Sequence, residues 1–97
     1  MRRELALNLL QAHKAEIVSR FGVRRLALFG STARDEARED SDVDVLVDFA
    51  EPATFRGYFG LKFHLEALLG QEVDLVCDDS IRPRIRPYIE KDALYVA

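Results

Sequence analysis

Asp42 and Asp44 stand at alternate positions in the run Asp42-Val43-Asp44-Val45-Leu46-Val47, and Gly30-Ser31 stands ten residues ahead of Asp42. A carboxylate withdrawn from water is costly unless it is paired or metal-bound, so two of them in a valine-rich strand call for a cation. Side chains alternate across a strand, which turns Val43, Val45, Val47 and Phe49 to one face and Asp42, Asp44, Leu46 and Asp48 to the other. Val73 to Cys77 repeats the pattern, with Val73 and Leu75 on one face and Asp74 on the other. If both strands put their valines into one core, Asp74 shares a side with Asp42 and Asp44. Two such charges about 4 Å apart repel by roughly 4 kcal/mol at an effective dielectric near 20, and a divalent cation relieves this. Oxygen-only ligands suit Mg²⁺ or Mn²⁺ rather than zinc. Gly30-Ser31, at a strand-to-helix turn, offers backbone N–H groups to a phosphate; a serine that merely caps the helix is the plainer reading of that pair alone. Arg34 reads equally as a phosphate contact or as half of a helix-surface ion pair. Asp48 lies some 7 Å beyond Asp44 along the strand and is left out of the metal shell.

The elements that must position these residues follow from periodicity and breaks. Arg2 to Phe21 reads as one amphipathic helix stopped by Gly22. Val23 to Phe29 reads as an interior strand, Ser31 to about Arg38 as a short helix, and Asp42 to Phe49 as a second strand. Twelve residues between the two strands are few for a parallel crossover, so antiparallel or mixed pairing is expected. Thr54 caps a second long helix, Phe55 to Leu69, which Gly70 ends. Val73 to Cys77 is a third strand, and Tyr88 to Val96 a last helix after Pro83 and Pro87. The resulting fold class is α/β (α+β), a small mixed sheet flanked by helices. Phe55, Tyr58, Phe59 and Phe63 have helical spacing and read as the packed face of their helix, with a partner surface as the alternative. Gly57 and Gly60 lower helix propensity there and point to close packing or mobility. Arg82, Arg84 and Arg86 read as a solvated loop or as phosphate or partner contacts. His13 and His64 read as surface residues, and Cys77 as core.

A chain of 97 residues with 48% hydrophobic content is expected to form one domain, 1–97, with no room for a separate acceptor domain. Its net charge of -3 argues against direct nucleic-acid binding, which wants a basic surface. A single cysteine forms no internal disulfide and suits a reducing compartment, so the cytoplasm is expected. No stretch has the apolar length of a membrane span or the build of a signal peptide.

The pattern Gly30-Ser31, ten residues, Asp42-x-Asp44 resembles the signature of the DNA polymerase beta-type nucleotidyltransferase superfamily. Ala33, Arg34, Ser41, Val45 and Val47, with Val73-Asp74-Leu75 downstream, extend the likeness to its minimal nucleotidyltransferase (MNT, MntA-like) branch. Asp35 departs from it, standing where that branch usually has glycine. The resemblance implies the polymerase beta-type fold, metal ligation by Asp42, Asp44 and Asp74, and phosphate binding by Gly30, Ser31, Arg34 and Ser41. Asp74 would complete a second metal site or serve as base. The resemblance further implies an antitoxin that moves AMP from ATP to a tyrosine of a HEPN-type ribonuclease toxin, and hence a hetero-oligomer. The alternative is a catalytically weak antitoxin that neutralises its partner by binding alone.

Overall fold

The computed structural model describes residues 1–97. The elements run α1 (Arg3–Ala12), α2 (Lys14–Phe21), β1 (Val23–Phe29), α3 (Gly30–Ala33), β2 (Val43–Phe49), α4 (Phe55–Leu69), β3 (Val73–Cys77), a 3-10 turn (Asp78–Ser80), α5 (Arg86–Asp92) and β4 (Leu94–Tyr95). The sheet order is β3-β2-β1-β4, with β1 antiparallel to β2 and β4 and β2 parallel to β3. The expected mixed sheet and the antiparallel first pair are both present.

Strand parity sets the layers. Leu26 and Leu28, Val43, Val45 and Val47, and Val73 and Leu75 share one buried cluster with Ala6, Leu10 and Ile17 of the first two helices and Leu61, Leu65 and Leu69 of α4. The other face carries Ala27 and Leu46, packed under Ile81, Ile89 and Ala93 of the C-terminal segment. Helices therefore cover one face fully, while the second face is covered only in part, and the carboxylates lie there.

β3 is an edge strand, and α4 closes its open side. Val43 N–H donates to the Glu72 carbonyl at 2.9 Å. Polar groups of successive residues point to opposite sides of a strand, so Val73, Leu75 and Cys77 turn theirs outward. Glu66 Oε2 accepts the Val73 N–H at 3.0 Å, the Tyr58 hydroxyl donates to the Leu75 carbonyl, and Ser80 Oγ donates to the Cys77 carbonyl at 2.9 Å. Side chains thus occupy positions at which another strand would add.

Four expected element boundaries need correction. The first helix is two, because His13 Nδ1, in the tautomer bearing its proton, takes the Leu9 carbonyl at 3.0 Å and the backbone leaves helical geometry at His13 (ψ 10°). The helix after Gly30 stops at Ala33, since Asp35 takes a left-handed φ of +61°. The strand expected from Asp42 begins at Val43. The last helix is shifted to Arg86–Asp92 and is followed by β4. There the chain end bonds to Leu26 on the edge of β1, with the Val96 N–H at 2.8 Å from the Leu26 carbonyl. Two residues are too few to show a strand period. Thr54 caps α4 as expected, its Oγ1 accepting the Gly57 N–H at 2.9 Å, and at Gly60 a Cβ would lie 3.4 Å from the Phe21 ring, a close approach of α4 to α2.

The aromatic residues of α4 divide. Tyr58 is half-buried, but Phe55 is 82% and Phe63 59% exposed, so these two are not the packed face; Leu61, Leu65 and Leu69 are. Leu61→Ala should therefore cost about 2–5 kcal/mol in urea unfolding, while Phe63→Ala should stay within about 0.5 kcal/mol of the parent.

Candidate active site

The site is built where β1 ends and β2 and β3 begin. Asp44 faces Phe29 in the antiparallel register and Asp74 in the parallel one, so the two carboxylates project side by side from strands about 4.8 Å apart. Val43, Val45, Val73 and Leu75 point into the opposite core, which fixes the direction of both carboxylates. Asp44 is half-buried, and Asp74 and Asp42 are exposed, with Asp42 just ahead of β2.

Burial pushes the Asp44 carboxyl up to about 6, the charges of Asp74 and then Asp42 push in the same direction, and Arg34 opposes them. No three side chains of His, Cys, Asp or Glu are gathered into a closed metal cage. The donor chemistry nevertheless fits a hard divalent cation shared with a ligand's phosphates: oxygen donors only, on one face, with a mutual repulsion that a cation relieves.

Gly30 is required on two counts. Its φ is +72°, and a Cβ there would collide with Asp44 Oδ2 and lie 3.0 Å from Asp44 Cγ. The turn thus passes directly beside the half-buried carboxylate, so glycine and aspartate are one packed unit. Ser31 follows half-buried in the single turn of α3, its carbonyl taking the Glu36 N–H at 2.8 Å.

The remaining sequence candidates have definite places. Arg34 donates from its terminal nitrogen to Asp92 of α5 at 2.7 Å and lies 3.5 Å from Glu36; of its two readings, the ion pair is the one present. Asp92 drew no attention in the sequence, because nothing local links it to a residue 58 positions away. Ser41 Oγ accepts the Arg38 N–H at 3.0 Å, and the Ser41 N–H returns to the Arg38 carbonyl at 3.1 Å, closing the turn that delivers Asp42. Asp35 has a structural part. Its Oδ1 accepts the Arg3 N–H at 2.9 Å, supplying the side-chain cap that Arg2 does not give α1. Its positive φ explains why glycine suits that position and why aspartate is tolerated.

Outside the site, Asp48 pairs with Arg24 at 2.9 Å and Arg25 at 3.5 Å, and Arg86 binds Asp78 through its carboxylate at 3.0 Å and its carbonyl at 2.8 Å. Arg82 and Arg84 are exposed. His64 lies half-buried against Phe21 with its Nε2 covered, which departs from the surface place expected for it, whereas Cys77 is partly buried and packs against the main core. No helix is long and apolar enough to cross a membrane.

A family model for a nucleotidyltransferase domain matches residues 10–96. The protein adenylyltransferase MntA of Thermococcus cleftensis is 47% identical over 89 residues, spanning 92% of this chain and 90% of that protein. A solved minimal nucleotidyltransferase structure superimposes with a TM-score of 0.82 at 40% identity, covering 97% of this chain and 95% of that one. The complex of a tri-AMPylated Shewanella oneidensis HEPN toxin with its MNT antitoxin also aligns, with a TM-score of 0.68 at 18% identity over 94% of this chain and 71% of that one; this likeness is one of fold.

Two outcomes follow from the geometry. Because the folded state raises the Asp44 pKa from 3.8 to about 6, the folded chain holds more protons between those values. The contribution of this group to stability is then present below about pH 4 and lost as pH rises through about 6. Melting curves of Asp44→Asn against the parent should separate in favour of the variant above pH 6 and converge at pH 4, and Mg²⁺ with ATP at pH 7 should raise the melting temperature of the parent alone. Gly30→Ala should lose more than about 1 kcal/mol of stability in urea and abolish the Mg²⁺-ATP shift.

Proposed function

The chain belongs to the nucleotidyltransferase domain family and is a nucleotidyltransferase, and we propose that it transfers AMP from ATP to a tyrosine of a HEPN-type ribonuclease toxin, acting as its antitoxin. The observation that carries this reading is the Asp44–Asp74 pair, in register on parallel strands with Asp44 packed beside Gly30, in a chain so close in sequence to a named protein adenylyltransferase.

Each residue has a proposed part. Asp42, Asp44 and Asp74 would hold Mg²⁺, with Mn²⁺ the alternative, and the ion would neutralise charge on the phosphates and on the entering and leaving oxygens. The Gly30 backbone and Ser31 hydroxyl would hold the outer phosphates of ATP. Ser41 positions Asp42 through its turn, and Arg34 adds positive charge beside the same carboxylates. The tyrosine oxygen bonds to the α-phosphorus, the bond from that phosphorus to the bridging oxygen breaks, and pyrophosphate leaves. An Asp74 carboxylate oxygen, exposed to an incoming acceptor, takes the phenolic proton. The acceptor comes from a second protein, so the working species is a hetero-oligomer, and a cytoplasmic setting suits an ATP-dependent reaction of this kind.

A binding-only antitoxin is the alternative, and it requires neutralisation that does not depend on the carboxylates. The deciding measurement is the intact mass of a HEPN-type toxin, sought first in the reading frame beside this chain's own, after incubation with the chain, ATP and Mg²⁺. One or more added AMP masses are expected, and none with Asp42→Ala/Asp44→Ala. Neutralisation of the toxin by that double variant at full strength would move the function to binding alone.

A further inference from the structure

Phe55, Phe59 and Phe63 follow one another at one-turn spacing along α4, with ring centroids 4.6 and 6.0 Å apart. Phe55 and Phe63 are mostly in water, while the opposite side of the same helix, through Leu61, Leu65 and Leu69, supplies the core. Phe59, between Phe55 and Phe63, is partly buried, but those two add little to the core of this chain, and an exposed apolar stripe of this kind marks a contact surface. Its position is specific. Phe59 meets Tyr58 edge-on at 5.0 Å, and the Tyr58 hydroxyl rests on the carbonyl of Leu75, the residue after Asp74. The stripe thus borders the β3 edge of the sheet, one ring away from the strand that carries a site carboxylate.

We propose that this stripe docks the acceptor protein, engaging an apolar helix of it while the rest of the contact passes over the β3 edge and brings the acceptor tyrosine to Asp44 and Asp74. The proposal rests on the adenylyltransferase reading and names where its acceptor binds. Area separates the acceptor from a second copy of this chain. Aromatic side chains bury about 150–250 Å² each, so three rings fall short of the roughly 800 Å² per partner of a stable interface. Stripe against stripe is too small, whereas a contact continuing across the edge onto the carboxylate face has the area. Strand addition to β3 is closed, because Glu66 and Tyr58 occupy the outward groups of Val73 and Leu75. The docking is accordingly made by side chains.

The test uses Phe55→Ser/Phe63→Ser beside a milder Phe55→Leu/Phe63→Leu, with the HEPN-type toxin that the proposed function takes as acceptor as probe. The serine variant should bind that protein at least about 30-fold more weakly by calorimetry, in the range of lost interface hot spots. Its AMP transfer at low acceptor concentration should fall in parallel, its Mg²⁺-ATP thermal shift should be unchanged, and the leucine variant should lie between. Binding and modification at parental levels by the serine variant would overturn the proposal, as would a parental homodimer that the substitutions dissociate without affecting the complex, or a parent that does not bind the protein at all. A parent that binds through the stripe but transfers no AMP would support the docking surface and instead remove the adenylyltransferase reading.

Discussion

Asp44 stands half-buried beside Asp74 on parallel strands, and the cost of keeping a carboxylate there, burial first and like charge second, is what the surrounding structure works against. The valines on either side of Asp44 bind β2 into the core, so the carboxylate cannot turn to bulk water without breaking the register. Gly30 closes the other side, since only a residue without a Cβ lets the β1–α3 turn pass so near. Burial and like charge together hold the Asp44 carboxyl near 6. Oxygen donors held together at such a cost have the chemistry that a hard divalent ion would relieve.

The rest of the fold keeps that arrangement in place. α5 is held near both ends by ion pairs, Arg86 to Asp78 and Asp92 to Arg34, which lays Ile89 and Ala93 over Ala27 and Leu46 on the carboxylate face. These bridges are partly exposed and individually weak; their effect is to fix where the C-terminal segment lies. Asp35 ties the loop leading to Asp42 back to the start of α1. On the far side, α4 closes the edge strand with Glu66 and Tyr58 and turns its aromatic stripe outward.

The carboxylate face was legible because the strand period of two leaves no freedom: with Val43 and Val73 inward, Asp44 and Asp74 must point together. The three main strands and the capped helix from Phe55 to Leu69 followed from runs long enough to show their periods. Shorter pieces did not. The break at His13 comes from one imidazole capturing a carbonyl, and β4 exists only because the edge of β1 offers partners to the chain end. The aromatic spacing of α4 fits either a packed or an exposed face. Only the placement of Leu61, Leu65 and Leu69 against the sheet decided it.

By itself, then, the sequence determined on which face of a strand the carboxylates stand and where the glycine turn falls, since local geometry is set by side-chain alternation and by glycine's freedom at the turn. The tertiary structure decided the partnerships between distant residues: Arg34 with Asp92, Asp35 with the first turn of α1, Gly30 against Asp44, and Tyr58 on the edge of β3. Such contacts depend on how layers stack and where the chain returns, and neither is encoded in the spacing of neighbouring residues.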